Sequence, residues 1–172
     1  MVTALDVYRP NEWNDFFVMV GGAAAVLTGL VFVAMSLNTK VIAEDATHRY
    51  RAIGTLTGIT TTFVICALAL MGGQDHRAIG AEWFLVAAVG AVVYLSGYVR
   101  AVQLSGTQRW LRPGRVVIAS AVYVVELAGA ALLFAGEIAG LYLAAAALLI
   151  LLAYMITGAW LLILGTATHT TD

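Results

Sequence analysis

Charge is scarce in this chain. Asp, Glu, Lys and Arg supply 11% of its 172 residues, against about 25% in an ordinary soluble domain. So few charged groups cannot clothe a water-exposed surface. With 62% hydrophobic residues and a mean hydropathy of +0.91, the chain reads as an integral membrane protein. Cysteine is rarer still. Cys66 stands alone, and one thiol builds no intrachain disulfide, no CxxC redox pair and no zinc cage. The two prolines, Pro10 and Pro113, fall outside the apolar runs. A net charge of -1 with no long basic stretch argues against a nucleic-acid partner. GxSxG, HExxH, a glycine-rich phosphate loop and paired intramembrane acids are all missing, so neither enzyme chemistry nor a cofactor is expected. His48, His76 and His169 are too scattered to suggest a metal site.

Long apolar runs are what the chain has instead. Five of them, at 16–38, 52–72, 83–103, 116–136 and 139–165, can each cross about 30 Å of hydrocarbon at 1.5 Å per residue. The predicted fold is all-α: one polytopic membrane domain over residues 1–172, a bundle of five transmembrane helices. The last two runs are parted only by Gly136-Glu137-Ile138-Ala139-Gly140, which reads as a tight helical hairpin. Residues 1–15 carry Asp6, Glu12 and Asp15 against Arg9, unlike a signal peptide, which opens on a basic region. Trp13, Phe16 and Phe17 follow as an aromatic cluster suited to the headgroup interface.

Basic residues set the expected orientation. Lys40, Arg49, Arg51, Arg100, Arg109, Arg112 and Arg115 share one side of a five-span chain, and Arg9 and Arg77 the other. The positive-inside rule then places the N-terminus outside and the C-terminus in the cytoplasm, as in a bacterial-type plasma membrane. Arg109, Arg112 and Arg115 surround Trp110 with no acid nearby. Such a segment suits anionic lipid headgroups, and the positive-inside rule alone also produces it.

Within the fourth run, Val116 to Gly136, Glu126 is the only formal charge. A membrane helix here holds the acid near the midplane, where insertion costs on the order of 2.5 to 3.5 kcal/mol. A partner, a water-filled cavity or a bound proton has to offset that cost. Ala119, Tyr123, Glu126, Ala130 and Leu133 share one helical face, so the acid is expected to face protein. In the third run Ala87, Gly90, Ala91, Tyr94, Gly97, Tyr98 and Ala101 share another. Phenols in hydrocarbon need hydrogen-bond partners, and Tyr94 falls at about the depth of Glu126. In the second run Thr55, Thr57, Thr61 and Thr62, with Gly54, Gly58 and Cys66, cover half the circumference. That face either borders a water or ion path or bonds its own backbone carbonyls in a packed bundle. Gly21, Ala25 and Gly29 recur every fourth residue of the first run, a small-residue seam within the monomer or between copies.

No stretch resembles a known family closely enough to name it. Two functions fit these residues. One is a small channel or transporter, as a homo-oligomer in the lipid bilayer, passing protons or small cations along Glu126, Tyr123, Tyr94, Tyr98 and the threonines. The other is an accessory subunit that docks another membrane protein through its small-residue faces, with Glu126 fixing helix register.

Overall fold

A computed structural model of the chain describes residues 10–44, 46–105 and 113–167, with side chains for 12–39, 42–44, 48–103, 114 and 116–160. Arg109, Arg112 and the side chain of Arg115 lie outside the described residues.

All the regular elements among these residues are helices: α1 (Pro10–Leu37), α2 (Thr39–Glu44), α3 (Ala46–Ala69), α4 (His76–Ser105), α5 (Pro113–Phe134) and α6 (Ile138–Ala167). Five of them are long and apolar enough to cross a membrane: 12–37, 48–69, 76–103, 116–134 and 138–160. The chain is thus an integral membrane protein of five spans plus one short connecting helix. A bilayer offers no hydrogen bonds to a bare backbone, so apolar runs of this length close their amides internally as helix.

Local chemistry sets the helix ends. Pro113 opens α5 at a position whose N–H would have no partner anyway. Asp75 caps α4: its Oδ1 accepts from the Ala78 amide at 2.7 Å, satisfying one of the orphan donors of a helix start. This cap explains why α4 begins at His76 and not at 83. Arg77 and Glu82 occupy its first turns and end the apolar run early, although the backbone is already helical. The α5–α6 break is the expected hairpin. Gly136 takes a left-handed φ of 89°, and the Glu137 amide reaches back to the Leu132 carbonyl at 2.9 Å while the Gly136 amide reaches Leu133 at 3.0 Å. That is a Schellman stop.

The spans pack in a definite order. α3, α4, α5 and α6 form a closed group in which α4 touches α3 and α5, and α6 touches α5 and α3. α1 lies outside it against α3, with lighter contact to α6. α3 is the most enclosed span. Opposite its threonines this helix carries an apolar side with Leu56, Ile59, Phe63 and Leu70. The structure divides that side, with Ile59 fully buried and Phe63 and Leu70 exposed.

Close contacts fix the depths. On α4 and α5, Gly80 meets Phe134 and Gly90 meets Tyr123, so the two helices run antiparallel. Gly90 also meets Thr61 of α3, and Gly54 meets Tyr94, so α3 runs antiparallel to α4 and parallel to α5. The turns at 70–75 and 135–137 therefore share one end of the bundle, called here the hairpin end.

The two halves of the bundle close differently. Toward the hairpin end, backbone lies on backbone. A Cβ at Gly129 would sit 2.8 Å from the Ala144 amide nitrogen and 3.0 Å from the Gly140 carbonyl, and one at Gly80 would sit 2.6 Å from the Phe134 amide nitrogen. Toward the other end, glycines face side chains: Gly58 faces Met155 and Gly54 the Tyr94 ring.

Candidate functional site

Glu126 sits at the centre of the four-helix group. Its predicted face is the buried one: Ala119, Tyr123, Glu126, Ala130 and Leu133 are all enclosed, Glu126 with 1% of its surface exposed. Among the described residues neither carboxyl oxygen has a hydrogen-bond partner. The Tyr123 phenol, one turn back on α5 and 2% exposed, and the Cys66 thiol of α3 are close enough to feel the Glu126 charge. From α4, Tyr94 has its ring centroid 6.0 Å from that of Tyr123, and it lies beyond Tyr123, away from the hairpin end, and not at the depth of Glu126 that its place in the sequence suggested. α6 contributes the buried apolar residues Leu148, Leu151 and Met155 to the group.

Glycines make this centre possible. Gly90 gives up its side-chain volume to Tyr123 and to the Thr61 hydroxyl. Gly21 of α1 backs Cys66, where a Cβ would come within 2.9 Å of the cysteine Cβ. The Thr61 hydroxyl lies beside the Tyr123 phenol, and among the described residues the phenol oxygen is also a buried polar atom without a hydrogen-bond partner. Trp83 Nε1 is another. It belongs to a buried indole packed 5.6 Å, centroid to centroid, from Phe17. Counting back from the Gly80 contact, Trp83 lies toward the hairpin end of Glu126.

The threonine face divides in two. Thr55, Thr61 and Thr62 are buried, but Thr62 donates to the Gly58 carbonyl at 3.0 Å and Thr57 to the Ile53 carbonyl at 2.8 Å. Those two hydroxyls serve their own helix. Thr61 is the threonine brought to the acid's neighbourhood. Tyr98 is half-buried one turn beyond Tyr94. Tyr50, which the sequence pattern did not single out, also belongs to this region, because its ring covers Gly97 at 3.5 Å from the position a Cβ would take. Its signal was an aromatic at the start of α3, hidden beside Arg49 and Arg51. Trp83 was missed too, since a lone tryptophan in an apolar run reads as interface anchor.

The small-residue seam of α1 is divided within the monomer. Gly21 packs, together with Phe17, Val20, Ala24 and Val31, whereas Ala25 and Gly29 are exposed. Phe17 is core and not an interfacial anchor, while Trp13 packs edge-on against Tyr142 with centroids 4.9 Å apart.

No family model, curated relative or solved structure matches this chain.

Proposed function

We propose that the protein is a small membrane transporter or channel for protons, with Glu126 as the group that binds and releases them. One observation carries the reading: a fully enclosed carboxyl, neither of whose oxygens has a hydrogen-bond partner among the described residues, lies near the Tyr123 phenol, itself without one, and the Thr61 hydroxyl sits beside that phenol. A buried acid without a cation beside it meets its desolvation cost by keeping a proton, and such a group inside a membrane is the usual mark of a proton relay. A proton needs only one acid and hydroxyl neighbours, which is what this centre offers, and we read protons as the species carried. The basic-residue count supports a bacterial-type plasma membrane with the hairpin end outside.

The test is proton flux in proteoliposomes loaded with a pH-sensitive dye. Glu126→Gln keeps the shape and loses the exchangeable proton, so flux falls to the level of empty vesicles while the protein remains folded. Flux equal to wild type would remove this reading.

The open side of α1 favours a second reading. Ala25 and Gly29 are exposed, and nothing lies within 4 Å of a Cβ at Gly22 or Gly29. Such a face suits close approach by another helix, from a second copy or from a larger complex in which this chain is an accessory subunit. Native mass spectrometry from membrane extracts distinguishes a monomer from either assembly.

A further inference from the structure

Hydroxyl groups are not spread evenly about Glu126. Away from the hairpin end, Tyr123 comes first, with Thr61 at its side. Tyr94 follows on α4, four residues past Gly90 and so about 6 Å further along the axis, its ring 6.0 Å from that of Tyr123. Tyr98 is one turn beyond it, and Tyr50 covers Gly97 near the start of α3. Arg49 stands over the Tyr50 ring at 5.6 Å and is exposed, which puts this last phenol at the water-facing end of the helix.

The hairpin half is poorer in such groups. The Cys66 thiol lies near the level of Glu126 with Gly21 pressed against it, and Glu82 accepts from Gln74 Nε2 nearer the hairpins; between them the buried polar atom is Trp83 Nε1, which donates but cannot accept, so it cannot hand a proton on. A groove of about 520 Å³ approaches between α4 and α5, its wall reaching Ala130 one turn from the acid. Gly80, Phe84, Leu85, Ala88, Ala130 and Phe134 line it, and none of these side chains carries a proton. Behind them the helices touch backbone to backbone at Gly80 and Gly129.

From this asymmetry we infer that protons reach Glu126 from one end only, along a ladder of phenols running from Tyr50 through Tyr98 and Tyr94 to Tyr123, with the hairpin end closed. A phenol both donates and accepts, so each rung can take a proton on one side and release one on the other, through rotation of its hydroxyl or one bridging water. The gaps are plugged by side chains that can turn, Tyr94 over Gly54 and Met155 over Gly58, and not by backbone. This deepens the transport reading by naming the route, and it makes the closed conformation one open to protons at the end opposite the hairpins.

Infrared spectroscopy of the reconstituted full chain tests it without requiring flux. The carboxylic acid band that Glu126→Gln removes is followed as it shifts after transfer to deuterated water. Tyr123→Phe and, separately, Tyr94→Phe keep ring volume and remove one rung, and each slows the shift by about a hundredfold or more, the lower range of what a positioned proton-transfer group contributes. Trp83→Phe leaves the rate unchanged. If the tyrosine variants exchange as fast as wild type, if Trp83→Phe is the slow one, or if wild type has no such band, the ladder is overturned. Slowed exchange in a protein that shows no Glu126-dependent flux keeps the ladder and removes the transporter. Glu126-dependent flux with unslowed exchange does the reverse.

Discussion

Gly90 stands where a side chain would collide with Tyr123. A Cβ there would lie 3.2 Å from Cε1 of the tyrosine and 2.5 Å from Oγ1 of Thr61, so the phenol keeps its place in the bundle centre only because α4 carries no side chain at that level. Gly90→Ala sets two effects against each other. Alanine gains about 1 kcal/mol of helix propensity, and overpacking costs about 1–3 kcal/mol. Both neighbours are held inside packed helices, so the clash wins and the thermal midpoint in detergent falls. A rise at this position would mean that Tyr123 has room to move aside.

Gly129→Ala destabilises more than Gly29→Ala. At Gly129 the new methyl would press on the Ala144 amide and the Gly140 carbonyl, at 2.8 and 3.0 Å, and backbone yields less readily than a side chain. At Gly29 nothing lies within 4 Å, so only the propensity gain of about 1 kcal/mol remains. Thermal unfolding of the two variants in the same detergent checks the order. Should Gly29→Ala be the more damaging, the exposed face of α1 is an interface in the assembled protein.

Replacing Glu126 by methionine keeps or raises the unfolding temperature. The carboxyl makes no hydrogen bond, and an unsatisfied buried polar group costs about 1–3 kcal/mol, which an unbranched apolar side chain of similar length relieves. A fall of comparable size would show that the acid holds the helices in register, and would favour the accessory-subunit reading over the transporter.

Cys66 resists N-ethylmaleimide in the folded protein and reacts once the protein is unfolded in detergent. Its side chain is 1% exposed, with Gly21 of α1 pressed against it, so the reagent has no path to the sulfur. Mass spectrometry of native and unfolded samples reads the difference directly. Prompt native labelling would mean that the space around Glu126 opens on the timescale of the reaction.

The sequence disclosed the five spans because each is an unbroken apolar run, and it disclosed the hairpin because Gly136 and Glu137 interrupt the longest of them. The inward face of α5 was legible as well, since alanines and glycine flank Glu126 at helical spacing. What stayed hidden was which helix touches which. Lipid and protein interior are equally apolar, so a span's pattern says little about where lipid ends and a neighbour begins. Hence the central place of α3, the outward turn of Ala25 and Gly29, and the burial of Phe17 were not readable. The threonines left two readings open for another reason: a hydroxyl on a helix finds a carbonyl one turn back without help from the fold, as Thr57 and Thr62 do. Tyr50 and Gly90 acquire meaning only through partners on other spans.

The contact of Gly58 with Met155 joins α3 to α6, which is synthesised three helices later. During biosynthesis the central helix therefore enters the bilayer well before its final neighbour exists, and one flank stays bare until α6 follows. A chain cut short before α6 carries the whole acid-bearing helix with that flank unsealed.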